Sequence, residues 1–498
     1  MMRTKLLVTS AFITIGALVG FSLRREATRL AIEDTSIWQS YDRYQEQGIQ
    51  HLMVKHTEIQ PLINKHLASG LLRSGLQGTS VQGRSINHLV AGKGKTKVLL
   101  WSQMHGDEST ATMALFDIFN FLSAADENDS FRRLLMEKLE LHFVPMINPD
   151  GAELWKRRNA MDIDINRDAR ALTTPEGRFL MKVADEIKPR FGFNLHDQNA
   201  LHSVGSSSKP ATISFLAPAY NHARDMNETR ENAAKMIILM NRTLQKYLPD
   251  QVAKYNDAHE PRGFGDTFQK KGISTILIES GGYLNDPQKQ YIRKLNFYVL
   301  LSALHAIAKE AYEQEDVERY YSIPENGRFL FNVVIRNAEI VKDSLRYRTS
   351  VGINHYTSLD ATRKRLNYRG AIDELADMHD NYGYHDVDAA SLLSVPGKVI
   401  AMKKDEWEKL SLKSEAALLR QGYLYIRFSD QRSPTGPVPN RLLNLINGSP
   451  LSLSIALYQN ANFVLAARDG KPAYAVVNGF LIDLNKEKIS SLPNTYGY

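Results

Sequence analysis

Cysteine is absent from all 498 residues. That removes disulfide frameworks, thiolate metal sites and cysteine nucleophiles together, so a metal in this protein has only histidine and carboxylate side chains to hold it. Long tracts of one charge are missing as well. The 62 basic and 55 acidic residues leave a formal net charge of +7 with no basic stripe of the kind that tracks a phosphate backbone, and no nucleic-acid partner is expected. No internal repeat or low-complexity tract appears. What is present is an ordinary globular composition, 43% hydrophobic, on a chain long enough for about three domains.

One uncharged apolar run stands out, "LLVTSAFITIGALVGFSL" at residues 6–23, with basic residues on each side in "MMRTK" and "RREATR". Its length and flanks fit a secretory signal peptide or a short membrane anchor occupying residues 1–30. The expectation is an exported protein, periplasmic or extracellular, with possible membrane attachment through residues 6–23. A cysteine-free chain is at ease in such an oxidising compartment.

Residues 37–69 read as helical, and from "GTSVQGRSINHLVAGKG" onward the pattern becomes strand, loop, helix. That first stretch reads as an edge strand and "KTKVLLWSQ" as a central one. "ATMALFDIFNFL", "GRFLMKVADEI", "ENAAKMIILMNRTLQKYL" and "KQYIRKLNFYVLLSALHAIAKEAY" carry helical spacing, alternating with the strand-like "KLELHFVPMI", "RFGFNL" and "ISTILI". Alternation of this kind predicts an α/β domain over residues 31–315, with a mixed, mostly parallel sheet flanked by helices. Beyond the acidic "EQEDVE", short alternating runs such as "RFLFNVVIRNAEI", "RTSVGINHYTSL", "GYLYIRFS", "LSLSIALY" and "PAYAVVNGFLIDL" predict a smaller β-rich accessory domain over 316–498.

Four predicted strands of the first domain end in polar residues, at the edge where open α/β sheets bind ligands. "KVLLW" leads to His105 and Glu108, "LHFVPMI" to Asn148 and Asp150, "FGFNL" to His196, and "STILI" to Glu279. Zinc takes imidazole nitrogen and carboxylate oxygen, with three protein ligands and one open position at a catalytic site. His105 and Glu108, three apart on a turn, suit one ion, and His196 completes the set. Glu279 is then a spare carboxylate able to accept a proton. Asp107 is expected to face away or to orient a ligand histidine. A lone histidine after a strand is usually structural, but "NPDGAELWKRRNAMDIDINRD" also brings Arg157, Arg158 and Arg167 towards this edge. Arginine suits carboxylate recognition and oxyanion stabilisation.

With "HGDE", "NPDG", "RRNAMDIDINRD", "NLHD" and "IES" in that order, residues 80–310 resemble the zinc metallocarboxypeptidases, the carboxypeptidase A-like peptidases. The resemblance implies His105, Glu108 and His196 as ligands of one zinc ion and Glu279 as catalytic base and acid. It further implies Arg157 as the residue that helps polarise the scissile carbonyl, and Asn166 and Arg167 as a clamp on a substrate carboxylate. The expected partner is a peptide or acyl-amino-acid substrate with a free carboxylate.

Two positions depart from the family pattern. Asp162 stands where a small residue is usual, and the substrate-capping tyrosine has no clear counterpart in "YNDAHEPRGF", with Tyr255 and Phe264 the nearby aromatics. In the second domain "VVIRNAEIV" and "HDVDAASLLSVPGKVI" are similar to the two halves of the β-sandwich that flanks amidohydrolase barrels. Carboxypeptidase action leads the functional expectations. A zinc amidase or deacylase acting on N-acyl amino acids or cell-wall peptides is the alternative within hydrolases, and a non-catalytic peptide-binding protein is the alternative outside them.

Overall fold

The computed structural model describes residues 35–342, 345–360, 365–448, 455–490, 492 and 495–497. The apolar run at 6–23 and the signal or anchor reading lie outside these residues. Among the described residues no helix is long and apolar enough to cross a membrane. The chain divides into two compact units, Met1–Gly205 with Lys209–Gly327, and Ser206–Ser208 with Arg328–Tyr498.

The first unit is α/β. Its strands are β1 (Arg73–Thr79), β2 (Ser85–Gly92), β3 (Thr96–Ser102), β4 (Leu139–Val144), β5 (Phe191–Asp197), β6 (Ser203–Val204), β7 (Ile213–Leu216), β8 (Val252–Lys254), β9 (Ser274–Ser280) and β10 (Asn326–Gly327). Eight of them form one mixed sheet in the order β1-β2-β4-β3-β5-β9-β7-β8, and β6 pairs with β10 separately. The centre, β4-β3-β5-β9, is parallel, while β1, β2 and β7 run against their inner neighbours. Central strands are apolar at nearly every position because both faces are covered. Along β3, Val98 and Leu100 face one core while Leu99 and Trp101 face the other, as a period of two requires.

The helices are α1 (Thr35–Gln39), α2 (His56–Ala68), α3 (Thr110–Ser123), α4 (Asp129–Lys138), α5 (Pro149–Leu154), α6 (Pro175–Ile187), α7 (Glu228–Leu244), α8 (Phe264–Lys270) and α9 (Gln290–Ala308). The core on the Val98 side takes α3, α7 and α9, and the core on the Leu99 side takes α6 and α8. Between α3 and α9 lies a fully buried ion pair, Arg293 Nε to Asp117 Oδ2 at 2.7 Å. Arg293 also donates to the carbonyls of Glu46 and Ile49, and Tyr41 donates to Asp117, which fastens the segment before α2 to these helices.

Two expectations shift. The edge strand is β1, with "SINHLVAG" paired inside it; "RSGLQGT" has no apolar alternation to announce it, being the solvent-facing rim. The unit also runs past residue 315 to Gly327. Glu315 is buried against Arg242, and in α10 (Glu318–Tyr321) the buried Tyr320 hydroxyl accepts the Ala217 N–H at 3.1 Å. The acidic stretch is therefore packed rather than a linker.

The second unit is β-rich. Strands β11 (Leu330–Lys342), β12 (Leu345–Leu359) and β13 (Arg365–Ala376) form an antiparallel meander inside a nine-stranded sheet. The segments "VVIRNAEIV" and "HDVDAASLLSVPGKVI" come together: β14 (Tyr382–Asp388) and β15 (Leu393–Val395) both pair in parallel with β11. A three-stranded parallel sheet, β16 (Lys398–Met402), β17 (Tyr423–Phe428) and β18 (Asn444–Leu445), carries two helices that alternation did not announce, α11 (Lys404–Glu408) and α12 (Leu412–Arg420). Of the run "LSLSIALY", residues 455–458 form no strand and 451–454 lie outside the described residues.

Candidate metal centre and its surroundings

Three parallel neighbours, β3, β5 and β9, deliver the polar residues to one edge. His196 and Glu279 are register partners at the ends of β5 and β9. The chain leaves β3 through Gln103, whose φ of 47° turns it sharply back. Gln103 is pinned there: its amide donates to the carbonyls of Val54 and Gly106, and its own carbonyl accepts the Asn148 N–H. Gly106 is required at the crossing with α5, because a Cβ there would sit 2.1 Å from the Gly151 carbonyl carbon. This pinned turn sets His105 and Glu108 towards β5.

His105, Glu108 and His196 are buried and converge. Glu108 Oε1 lies 2.7 Å from His105 Nδ1, Glu108 Oε2 lies 2.8 Å from His196 Nδ1, and the two Nδ1 atoms are 3.2 Å apart. On the far side of its ring, His105 Nε2 is 3.0 Å from Asp164 Oδ1. An acceptor there fixes the Nε2–H tautomer and leaves the Nδ1 lone pair aimed at the centre. Two imidazole nitrogens and a carboxylate therefore point their electron pairs at one place. Ligands at 2.0–2.1 Å in a tetrahedron stand about 3.3 Å apart, so the residues fit zinc.

The charges support a cation at this point. Burial alone pulls the His105 pKa down, but the carboxylates of Glu108 and Asp164 outweigh it and raise it to about 9. Burial raises Glu108, yet its two histidines hold it well below the usual carboxylate range. Asp164 is likewise lowered despite desolvation, by His105 and by Arg157. Half-buried Glu279 moves the other way: loss of water, and then the Glu108 charge, push it well above the ordinary range. Glu279 thus holds a proton more readily than an ordinary carboxylate does, which suits a group that takes a proton up and gives it back.

Arg157 stands beside the three donors, 3.0 Å from Glu108 Oε1 and 3.1 Å from Asp164 Oδ2. Asn166 Oδ1 accepts the Phe264 N–H at 3.0 Å, and the Asn166 amide nitrogen faces His196 Nε2 at 3.5 Å. Arg167 is exposed, 3.3 Å from Glu260. Its neighbour Asp162, also exposed, takes a φ of 57° at the tip of a turn closed by Asn159, a conformation that aspartate tolerates.

Other expected positions lie off the centre. Asn148 caps α5 through the Gly151 N–H and donates to the Arg157 carbonyl. Asp150 is fully buried and accepts from Ser80, Gln82 N–H and Arg84, which ties the β1–β2 turn down. Arg158 is exposed, with its contact to the Asp162 carbonyl. Phe264 is a core residue against Phe268, and Tyr255 is half-buried near His202, so neither is marked as a capping aromatic. Asp107 does not orient a histidine: one of its oxygens is buried with no hydrogen-bond partner. Asp164 takes that part instead. Its signal was its place in "DIDINRD", two residues before Asn166, where its side chain caps the turn at Ile165–Arg167. Asp197 was missed too; it accepts from Thr110 at 2.6 Å and from Lys289 at 3.0 Å.

The family model that matches is zinc carboxypeptidase, over residues 66–185. That span holds His105, Glu108, Arg157, Asn166 and Arg167 and stops short of His196 and Glu279. An uncharacterised protein of Zymomonas mobilis is 27% identical over 190 residues, 37% of this chain and 46% of its own length. Carboxypeptidase SOL1 of Arabidopsis thaliana is 35% identical over 65 residues, 13% of each chain. Carboxypeptidase 2 of Trichophyton tonsurans is 25% identical over 134 residues, 27% of this chain and 24% of its own. The chain thus spans less than half the length of the curated relatives it matches. Among solved structures, a metallo-carboxypeptidase from Burkholderia cenocepacia aligns with 51% of this chain and 69% of its own, at 17% identity and a TM-score of 0.42. The first unit thus carries the zinc carboxypeptidase family match over residues 66–185 and is similar in sequence to known carboxypeptidases.

Proposed function

We propose that the first unit is a zinc-dependent metallocarboxypeptidase that removes C-terminal residues from peptides, in an exported protein. The observation that carries this reading is the meeting of the His105–Glu108–His196 donor set with Glu279, its register neighbour, on an edge that also presents Arg157 and Arg167. Export rests on the apolar run at residues 6–23.

Zinc held by His105, Glu108 and His196 would supply Lewis acidity and lower the pKa of its water to near 7. The chain's own residues do the rest. Arg167 binds the free α-carboxylate of the last residue and so places the preceding peptide bond at the sheet edge. Arg157, an immobilised cation, stabilises negative charge growing on the scissile carbonyl oxygen. Glu279 takes the proton from the attacking water at its carboxylate and returns it to the leaving amine nitrogen as the C–N bond breaks. Asp164 keeps the His105 ring in one tautomer throughout.

Three substrates separate this reading from its neighbours: a peptide with a free C-terminus, the same peptide amidated, and an N-acyl amino acid. Release of the last residue from the free peptide alone is the expected result. Preference for the acyl-amino acid would favour the amidase, and internal cleavage of the amidated peptide would overturn recognition through Arg167.

A further inference from the structure

Residues Glu260–Gly263 form a tight turn closed by the Gly263 N–H on the Glu260 carbonyl at 2.8 Å. It is seated directly on the segment that carries Asn166 and Arg167. The Arg262 carbonyl accepts the Ala169 N–H, Asn166 Oδ1 accepts the Phe264 N–H, and the Glu260 N–H is held by Asp266. Within this frame the Glu260 carboxylate is shared by two guanidinium groups. Arg262 grips both oxygens, at 2.8 and 2.7 Å, and Arg167 Nε stands 3.3 Å from Oε2. Two guanidinium groups thus share one directly paired carboxylate. Asp164 is the next anion, felt electrostatically by both arginines, but it is hydrogen-bonded to His105 and Arg157. Both arginine side chains are reachable, 41% exposed for Arg167 and 59% for Arg262.

We propose that Arg167 and Arg262 form a paired guanidinium subsite for peptides whose last residue is itself acidic, a proposal that rests on the carboxypeptidase reading. A C-terminal glutamate or aspartate brings two carboxylates, one for each guanidinium, and Glu260 is the internal anion that they displace or join. A basic last residue meets two cations and a carboxylate already gripped on both oxygens. An apolar last residue leaves Arg262 without a role. Charge-assisted bonds to a fixed guanidinium fork are the strongest polar contacts available at such a half-exposed site.

The test uses the full chain with Glu279→Gln, loaded with zinc, and three peptides identical except for a last residue of Glu, Leu or Lys. Binding is read by isothermal titration calorimetry, and cleavage by the unmodified protein is read in parallel. The Glu-ended peptide is expected to bind about tenfold or more tighter than the Leu-ended one, the size of one hydrogen-bonded charge contact. Adding Arg262→Gln should bring it to the Leu-ended affinity, whereas adding Glu260→Gln should tighten it. Tightest binding of the Lys-ended peptide, or an Arg262→Gln variant that weakens all three alike, would overturn the subsite. Cleavage of all three without preference overturns the subsite and leaves the carboxypeptidase reading standing. Neither binding nor cleavage by zinc-loaded protein brings down both.

Discussion

The Nε2 atom of His105 and the Oδ1 atom of Asp164 are 3.0 Å apart, and both side chains are buried. The contact does not touch the reacting atoms, yet it decides which nitrogen of His105 is free to bind a cation. Asp164→Asn keeps the shape and removes the charge, so its amide can present a donor where an acceptor is needed. Zinc affinity should fall about 10- to 100-fold, the usual cost of losing such a partner. Competition against a chromophoric chelator measures it directly, and affinity equal to the unmodified protein would remove Asp164 from this role.

Glu279→Gln is expected to lower kcat about 10²- to 10⁴-fold while zinc still binds one to one, because the amide cannot accept a proton and Glu279 lies outside the donor set. Steady-state kinetics and metal analysis on the same preparation check both halves. Turnover near the unmodified rate would take the base role from this residue.

The buried Arg293–Asp117 pair predicts a stability effect far from the chemistry. Removing one partner leaves an uncompensated charge in a site with no exposed surface on either side chain, so Asp117→Ala should cost about 3–5 kcal/mol. Arg293→Met combined with Asp117→Leu should recover part of that loss. Urea denaturation of the three proteins tests the prediction, and equal loss in the single and double variants would contradict it.

His88 predicts acid sensitivity. It is buried, stacked on His142 with Nε2 to Nδ1 at 2.9 Å, while its own Nδ1 accepts the Leu76 N–H of the edge strand. Burial, then the neighbouring His142, lowers its pKa from 6.5 to about 4. The unfolded chain therefore binds a proton as pH falls below 6.5 while the folded one resists until about 4, and stability is lost across that window. The loss should be about 2 kcal/mol between pH 7.5 and pH 5. His88→Gln should flatten the dependence; an unchanged slope would assign it to other groups.

Much of this was legible in the sequence because central strands and their carboxyl ends leave strong marks. "KVLLW", "FGFNL" and "STILI" are buried on both faces, so their apolar runs end abruptly at His105, His196 and Glu279. Edge strands β1 and β8 carry no such pattern, since a rim strand needs little apolar alternation, and buried β7 is only four residues long. Asp164 and Asp107 illustrate the harder problem. Both are aspartates near a predicted ligand, and only the three-dimensional path of the turn at Ile165–Arg167 decides which one reaches His105. The pairing of Glu260 with Arg167, 93 residues apart in sequence, likewise exists only after folding.

One zinc ion at His105, Glu108 and His196 is proposed to make this unit a carboxypeptidase. Metal-stripped protein titrated with zinc against a peptide with a free C-terminus, with products read by mass spectrometry, tests it most directly. Metal-free protein should leave the peptide untrimmed, and stepwise loss of C-terminal residues should rise with zinc and saturate at one ion per chain. Full trimming by the metal-free protein, or none with one zinc bound, would contradict it.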